Sequence, residues 1–277
     1  MTGSPTPPVA LTIAGSDSGG GAGIQTDLVT FAALGVHGAS VITALTAQNT
    51  VEVTGVHVPP VDFLLAQLDA VLTDLPVTAV KTGMLATEAV VRAVADVAAA
   101  GRLARLVVDP VLVSSTGARL LDPGAEAAYV EALLPRALVA TPNTREAAAL
   151  LGAPVATAAD AAEAARRFGG LGPDWVVVKG GHVDDPDDAV DVVYEAATGT
   201  VTELRRPRVA TCNDHGTGCT FAAATAALLA GGTPVPEALE RAKQFVYEGL
   251  VDSAGWVLGG GHGPVSKFGR IPPAVRP

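Results

Sequence analysis

The sequence is poor in cysteine and in positive charge, and each shortage excludes a class of protein. Its two cysteines, Cys212 and Cys219, are seven positions apart, which matches neither a zinc site nor a redox Cys-x-x-Cys pair. Free, reduced thiols are typical of a cytoplasmic protein. Lysine and arginine number 18 against 28 acidic residues, and the formal charge of −10 argues against a surface for nucleic acid or for an anionic membrane.

Targeting and membrane-spanning segments are also missing. Residues 1–8 have neither a basic n-region nor an apolar h-region, so they predict a disordered tail rather than a secretion signal. The longest strongly apolar helix candidate, residues 221–230, is far shorter than the roughly 20 residues that span a bilayer. We expect a cytoplasmic protein with one domain over residues 9–265 and a C-terminal tail over residues 266–277.

Aromatic residues make up only 4% of a chain that is 49% hydrophobic, so Ala, Val and Leu build the core. Short Val- and Leu-rich runs alternate with helical patterns, as in parallel sheets that helices cover on both faces. An antiparallel hairpin is predicted around Ala197-Thr198-Gly199-Thr200, which separates two such runs. The predicted fold is therefore an α/β three-layer sandwich with a mostly parallel central sheet.

The loops that follow the predicted strands contain most of the unusual polar residues. Strands are predicted over residues 9–14, 40–45, 78–80, 106–109, 138–140, 175–178, 190–195 and 201–204. Helices are predicted over residues 25–34, 87–99, 125–134, 145–151, 158–168, 217–229 and 236–250, and a further amphipathic helix opens at residues 59–60. Ligands of open parallel sheets bind beyond the carboxyl ends of the strands, so we expect the site in these loops.

A glycine-rich loop, residues 15–23, follows the first predicted strand. It does not fit the dinucleotide pattern G-x-G-x-x-G, and the chain contains no G-x-x-x-x-G-K-[ST]. Neither a dinucleotide site nor a Walker-type site is therefore indicated. Asp17, within the loop, is either a turn former or a group that meets a substrate at the strand end.

Residues 213–220 form a glycine turn that opens a helix. The unpaired amides of a helix start and its dipole favour an anion, so the turn suits a phosphate. Cys219 lies on the first turn, where the same field is expected to lower the pKa of its thiol and make it an acid, base or nucleophile. The structural alternative is ordinary packing of a small side chain. His215 is either a turn residue or a phosphate contact.

Two acids and a lysine follow other predicted strands. Asp109 directly follows one strand, and Glu146 lies three residues after Asn143. Asn143 and Glu146 fit a capping box, while Asp109 and Glu146 fit a hydrated Mg²⁺, which takes one or two carboxylates plus phosphate oxygens; the two interpretations are compatible. Lys179, with two glycines after it, is either solvated or steadies a phosphate as a point charge.

Two further residues fit a heterocyclic ligand. Gln48 follows an apolar strand, where its amide either forms a turn or hydrogen-bonds a planar heterocycle. Met84 either packs in the core or lines a ligand wall.

Six motifs, in order from about residue 11 to residue 265, resemble the ribokinase-like superfamily and, within it, the hydroxymethylpyrimidine/phosphomethylpyrimidine kinases of thiamine biosynthesis. They are Ala14-Gly15-Ser16-Asp17 continuing through Gln25 to Asp27-Leu28, Val41-Ile42-Thr43-Ala44-Leu45 with Ala47-Gln48-Asn49-Thr50, Lys81-Thr82-Gly83-Met84-Leu85, Thr141-Pro142-Asn143 with Glu146, Lys179-Gly180-Gly181-His182, and His215-Gly216-Thr217-Gly218-Cys219-Thr220. Six ordered motifs are far more specific than any one of them.

The resemblance implies a ribokinase-like fold with little or no separate lid. It implies two successive phosphorylations by ATP with Mg²⁺, first of 4-amino-5-hydroxymethyl-2-methylpyrimidine and then of its monophosphate, which becomes the diphosphate. It also implies a homodimer.

The resemblance assigns roles to the matching residues. The substrate pocket would comprise Gln48, which binds the aminopyrimidine edge, with Gly15, Asp17, Ala22 and Met84. The phosphates of ATP would meet Lys179, Asn143 and an anion hole of Gly216, Thr217 and Gly218, while Asp109 and Glu146 would organise Mg²⁺. Cys219 would be the catalytic base, with Lys179 also counted as catalytic.

Two positions near the end of the last motif bear on how closely the chain follows the pyrimidine-kinase branch of the superfamily. Cys219 stands where many sugar kinases of the superfamily carry an aspartate base, which supports the pyrimidine branch. Asp214 departs from the family, which commonly has threonine before His-Gly-Thr-Gly-Cys, and its carboxylate would either repel ATP or attract metal.

Two other functions compete with this interpretation. A pyridoxal or pyridoxine kinase shares the fold and differs in the alcohol that it phosphorylates. A non-catalytic pyrimidine or nucleotide sensor would keep the pocket, but it would not need Asp109, Glu146, Lys179 and Cys219 together.

Overall fold

Ten strands and eight helices make up the part of the chain that this computed structural model describes, residues 6–113, 117, 120–180 and 187–268. The strands are β1 (Val9–Ala14), β2 (His37–Ile42), β3 (Leu45–Gln48), β4 (Val53–His57), β5 (Val77–Thr82), β6 (Leu106–Val108), β7 (Val139–Ala140), β8 (Trp175–Val178), β9 (Asp188–Glu195) and β10 (Thr200–Pro207). The helices are α1 (Gly23–Ala33), α2 (Val61–Asp74), α3 (Glu88–Ala99), α4 (Glu126–Ala128), α5 (Thr144–Leu151), α6 (Ala158–Gly169), α7 (Thr217–Ala230) and α8 (Val235–Ser253). After α4 the chain continues through a π-helical turn (Tyr129–Leu133) and a 3-10 turn (Leu134–Arg136).

The main sheet has eight strands in the order β10-β9-β8-β7-β6-β5-β1-β2. The strands from β2 to β8 in that order run parallel, and β9 and β10 add an antiparallel hairpin. The predicted α/β class, the mostly parallel sheet and the hairpin are confirmed. From β1 the chain passes outward to β2 and then returns to β5 on the other side of β1. This reversal puts a crevice at the carboxyl ends of β1 and β5, where such sheets bind ligands.

Alternate residues of each central strand face opposite layers of helices. Leu11, Ile13 and Val80 join the core with α2 to α6, whereas Ala10 and Ala79 join the core with α1, α7 and α8. This alternation follows from the two-residue period of a strand. Helix α7 is apolar around its circumference because it lies buried between the sheet and α8.

The small sheet of β3 and β4 differs from the prediction. Strands β3 and β4 pair antiparallel outside the main sheet. The sequence instead predicted one strand over residues 40–45, followed by a loop over residues 47–50. Gly55 interrupts the apolar alternation of β4, and most of that strand is exposed or half-buried, so its sequence signal is weak. The pair lies against the loop after β1, since Thr46 Oγ1 donates to the Ser16 carbonyl over 2.8 Å and the Gln48 amide donates to Ser18 Oγ over 2.8 Å.

The predicted tails are only partly within the described residues. Residues 1–5, residues 269–277 and the Gly181-His182 end of the lysine motif lie outside them. Ser266 and Lys267, which the sequence analysis placed in a tail, are buried, and the Ser266 amide donates to the Gly249 carbonyl over 3.3 Å. These two residues belong to the packed body of the domain. Across the described ranges, no helix combines the length and the apolar character needed to cross a membrane.

Candidate active site

The loop after β1 wraps around the carboxylate of Asp17. Its Oδ1 accepts from the Gly19 amide over 2.8 Å, and its Oδ2 accepts from the Ala22 amide over 2.8 Å and lies 2.9 Å from His215 Nε2. Burial pushes the pKa of Asp17 up, but the hydrogen bonds from His215 and the two amides outweigh it and leave the pKa below its usual value. Asp17 is therefore a buried anion, and its partner His215 ties the loop to the turn before α7.

The other predicted pocket residues lie beside this loop. A Cβ on Gly15 would approach Met84 Sδ to 3.0 Å, so the glycine lets the buried Met84 close against the strand end. Gln48, at the end of β3, donates its backbone amide to Ser18 Oγ over 2.8 Å, and its Oε1 accepts from Thr46 Oγ1 over 3.3 Å. The glycine loop, the end of β5 and the small sheet thus lie together, which brings Gly15, Asp17, Met84 and Gln48 into one region.

A second cluster forms at the ends of β6, β7 and β8. Lys179 Nζ donates to Asp109 Oδ1 over 2.7 Å, and Thr141 Oγ1 donates to the same oxygen over 3.1 Å. Burial lowers the pKa of Lys179, but Asp109 and Glu146 raise it further, so the pKa of the lysine lies above its usual value. Lys179 is a fixed positive charge rather than a solvated surface lysine.

Asn143 and Glu146 form the capping box of α5. Asn143 Oδ1 accepts from the Arg145 and Glu146 amides over 2.9 Å each, and Glu146 Oε2 accepts from the Asn143 amide over 2.7 Å. Burial raises the pKa of Glu146 to about 7; Lys179 opposes this rise and Asp109 adds to it. The structural explanation for the pair is confirmed, and it leaves Glu146 beside the lysine and aspartate of the second cluster.

The donor set of this cluster fits Mg²⁺ bound partly through phosphate. Within the described ranges, no group of three or more His, Cys, Asp and Glu side chains comes together as a metal cage. Mg²⁺ does not need one, because it commonly takes one or two carboxylates and completes its shell with water and phosphate oxygens. Asp109 and Glu146 are two such carboxylates, and their mutual repulsion is what a cation would relieve.

The start of α7 lies between the two clusters. Gly216 has a φ of +82°, and a Cβ there would overlap the Gly21 carbonyl oxygen, so only glycine fits this close approach. Gly216 has no side chain to cap the first turn; within the described chain the Thr217 amide donates to the Asp214 carbonyl over 3.3 Å, and the Gly218 and Cys219 amides are left for an anion. A Cβ on Gly218 would lie 3.0 Å from Lys179 Nζ, so the lysine faces the same turn.

Cys219 also lies on this turn, but its acidity differs from the prediction. Burial raises the pKa of the thiol above its usual value; Lys81 and the Gly23 amide oppose the rise, and Asp109 and Asp27 add to it. The predicted lowering is wrong because carboxylates and burial outweigh the cations and the amide. The residue as a whole is half-buried, and its thiol lies between the glycine loop and the second cluster.

One buried ion pair beneath the site was not predicted. Lys81 Nζ donates to both oxygens of Asp27, over 3.0 and 2.8 Å, and Thr12 Oγ1 donates to Asp27 Oδ2 over 2.6 Å. All three side chains are fully buried. A lysine within the apolar run of β5 was the available signal, because a buried lysine needs a partner.

A cavity of about 520 Å³ opens beside the start of α7, between α8 and the β9–β10 hairpin. Asn143, Lys179 and Thr217 line it, so it adjoins the predicted phosphate contacts. Asp214 lines it too, with its Oδ1 2.7 Å from His262 Nδ1. The carboxylate that departs from the family pattern thus has a histidine partner.

Comparison with known proteins identifies the family of the chain. A family model described as phosphomethylpyrimidine kinase matches residues 17–266. A hydroxymethylpyrimidine/phosphomethylpyrimidine kinase from Rhizobium meliloti (strain 1021) is 49% identical over 266 residues, 95% of this chain and 97% of the relative. The crystal structure of phosphomethylpyrimidine kinase from Clostridium difficile 630 has a TM-score of 0.76 at 37% identity and covers 87% of this chain and 98% of its own. The pyridoxal kinase from Staphylococcus aureus in complex with AMP-PCP and pyridoxal has a TM-score of 0.86 at 35% identity, with coverage of 96% and 95%.

Proposed function

The chain belongs to the phosphomethylpyrimidine kinase family, and on that premise we propose that it transfers phosphate from ATP twice in thiamine biosynthesis. The first acceptor is 4-amino-5-hydroxymethyl-2-methylpyrimidine, and the second is its monophosphate, which becomes the diphosphate. One observation carries the proposal: the predicted pyrimidine pocket around Asp17 and the phosphate-binding cluster around Lys179 meet at Cys219.

The acceptor side of the site, which is the pocket around Asp17, recognises a flat, amino-substituted ring. The Gln48 carboxamide both donates and accepts, as an aminopyrimidine edge requires, and the ionised Asp17 accepts a further hydrogen bond. Met84 and Gly15 provide an apolar wall for the ring. Because Asp17 is held by backbone amides and by His215, it is already oriented when the ring arrives.

The donor side holds the triphosphate of ATP in the cavity beside α8. Thr217 and the Gly218 amide at the start of α7, together with the Lys179 ammonium, surround the position of the transferring group. Asp109 and Glu146 would hold Mg²⁺, which when bound neutralises phosphate charge. The bound AMP-PCP of the pyridoxal kinase relative supports the use of ATP.

Cys219 handles the proton of the first transfer. As the alcohol oxygen bonds to the γ-phosphorus and ADP leaves, the sulfur takes the hydroxyl proton. The second acceptor is a phosphate that is already ionised at neutral pH, so its attacking oxygen has no proton to lose. The same sulfur is therefore needed as a base in one transfer and only lines the site in the other.

Coupled ADP release with each acceptor, followed by mass spectrometry of the products, tests the proposal. We expect ADP release with the alcohol and with its monophosphate, and a diphosphate as the final product. Absence of release with every alcohol tried would contradict the proposal and favour the non-catalytic sensor.

A second candidate function is phosphorylation of pyridoxal. The Staphylococcus aureus structure, which contains pyridoxal, favours it because its TM-score to this chain is 0.86. Turnover of pyridoxal and of the aminopyrimidine alcohol at equal concentration separates the two candidates. We expect the higher kcat/KM with the aminopyrimidine.

The resemblance also supports a homodimer in the cytoplasm. Light scattering at micromolar concentration tests the dimer, and fractionation of the producing cell tests the location.

A further inference from the structure

The chain has four lysines, all of them buried or little exposed, and one has no carboxylate partner among the described residues. Lys81, Lys179 and Lys243 lie within 2.8 Å of Asp27, Asp109 and Asp191, respectively. Lys267 is only 4% exposed, and within the described chain its one hydrogen-bond partner is the Gly21 carbonyl, at 3.2 Å. An ammonium group has three donors, and a buried charge is retained at a cost unless it is paired. The lysine thus has unused capacity for an anion.

The position of Lys267 is on the acceptor side of the site. Gly21 lies in the loop that surrounds Asp17, and its carbonyl oxygen abuts Gly216 at the anion hole. The lysine is within electrostatic range of Asp17, Asp27 and Cys219. Lys179, in contrast, is engaged by Asp109 on the donor side.

Short backbone contacts hold the segment that carries Lys267. The Val265 amide donates to the His215 carbonyl over 3.1 Å, and the His215 amide donates to the Gly263 carbonyl over 3.0 Å. Ser266 packs against Gly249 of α8. The ammonium is therefore delivered to the glycine loop by a fixed segment. Burial lowers the pKa of Lys267 to about 8, with Cys219, Asp27 and Asp17 opposing the shift, so an added anion would also favour its charged form.

The two transfers of the proposed function place different charges next to this lysine. The alcohol acceptor is neutral, whereas a phosphate monoester carries about −1.5 to −2 at pH 7. In the second transfer an oxygen of that phosphate bonds to the γ-phosphorus while the bond to the bridging oxygen breaks and ADP leaves. Two anions must therefore meet in a site that already contains Asp17, Asp27, Asp109 and Glu146.

We propose that Lys267 supplies the positive charge that admits the phosphate acceptor, so that it acts chiefly in the second transfer. The inference rests on the proposed function. It makes Lys267 a specificity residue for acceptor charge, beside the residues that recognise the ring.

Rates with the two acceptors, measured on one preparation of each variant, test the proposal. For Lys267→Met, we expect kcat/KM for the monophosphate to fall roughly ten- to hundredfold relative to kcat/KM for the alcohol, as loss of a charge-assisted contact predicts. Lys267→Arg retains the charge and should stay close to the wild-type ratio. Ser266→Ala, which alters the same segment without altering charge, should leave the ratio unchanged.

Calorimetry with the monophosphate alone supplies a second measurement. The Lys267→Met variant should bind it more weakly than the wild type, while its thermal melt reports folding. An unchanged ratio of the two kcat/KM values, whether both rates fall equally or neither falls, would overturn the assignment of Lys267. A wild-type enzyme that phosphorylates neither acceptor would instead contradict the proposed function.

Discussion

Cys219, the base in the proposed mechanism, has a raised pKa, and the two together limit what the residue can do. A raised pKa keeps most of the thiol protonated at neutral pH, so the thiolate is scarce. Each thiolate that does form is a stronger proton acceptor. Phosphoryl transfer through a loose transition state needs little help from a base until the new bond forms. The residue therefore matters most where the acceptor must lose a proton.

Cys219→Ala should separate the two transfers. We expect kcat with the alcohol to fall by about 10²- to 10⁴-fold, the usual contribution of a general base, while kcat with the monophosphate falls much less. The dissociation constant of the alcohol, measured by calorimetry, should change little. Cys212→Ala is the matched control because Cys212 is exposed and is not among the residues that line the cavity. Equal kcat values for Cys219→Ala and wild type would make Cys219 a packing residue.

Burial of Lys267 predicts a pH-dependent cost in stability. Its pKa is lowered to about 8 in the folded chain, so between about pH 8 and its ordinary value of 10.5 the unfolded chain binds more protons. The cost is full below pH 8 and disappears as the pH rises through 10.5. Lys267→Met should therefore be more stable than the wild type at pH 7, by about 1 to 3 kcal/mol, and this advantage should vanish by pH 11.

Urea unfolding of both proteins at pH 7 and at pH 10 to 11 checks this expectation. Comparing the two proteins cancels the titration of groups that Lys267 does not influence, and the remaining difference reports Lys267 with its neighbours Cys219, Asp27 and Asp17. A stability difference that is constant with pH would show that the lysine is not a buried, strained cation.

At the scale of elements, the start of α7 depends on a glycine that touches another loop. A Cβ at Gly216 would overlap the Gly21 carbonyl oxygen and would also require a residue at a φ of +82°. The glycine therefore serves both the turn and the contact between the acceptor loop and the anion hole. Moving either the glycine loop or the turn at Gly216 would misplace the backbone amides that are proposed to bind phosphate.

Gly216→Ala should lose most activity as well as stability. Gly232, just beyond the other end of α7, is the matched control: its φ is +86°, but a Cβ there would meet nothing within 4 Å. Gly232→Ala should cost only the roughly 1 to 2 kcal/mol of a left-handed alanine and leave kcat/KM unchanged. Thermal melts and steady-state rates of both variants distinguish the contact from the backbone strain. Equal effects of the two substitutions would contradict a role for the contact.

Local signals predicted elements well, and contacts between distant residues explain what was missed. A helix was predicted to begin at residue 87, and the Thr87 side chain accepts from the Val90 amide at the start of α3. Asn143 and Glu146 likewise form the predicted capping box. The partner of Lys267 is 246 residues away, so no local pattern could identify it.

The direction of a pKa was the least predictable property of the site. The helix start alone favours a Cys219 thiolate, but the outcome depends on four neighbours from other elements: Lys81, Gly23, Asp109 and Asp27. Adding up these opposing effects on the pKa requires the three-dimensional positions of the four neighbours, which sequence patterns do not supply.

For the whole molecule, the core combines many small apolar side chains with fully buried charge. On the face covered by α1 and α7, Lys81 and Asp27 neutralise each other among alanines and valines. A buried pair contributes little net stability compared with apolar residues, yet loss of one partner leaves an uncompensated charge. The pair lies beneath Cys219, so the fold keeps a charged layer under its active site.

Lys81→Met should therefore destabilise the protein by about 3 to 5 kcal/mol, because Asp27 is left without its counter-charge. The double variant Asp27→Asn with Lys81→Met removes both charges and retains an acceptor for Thr12, so it should recover much of this loss. Arg102→Met breaks an exposed pair with Asp69 and should change stability by less than about 1 kcal/mol. Equilibrium unfolding in urea measures all three. If the double variant were instead destabilised as much as Lys81→Met or more, Lys81 and Asp27 would be independent packing residues and not a coupled pair.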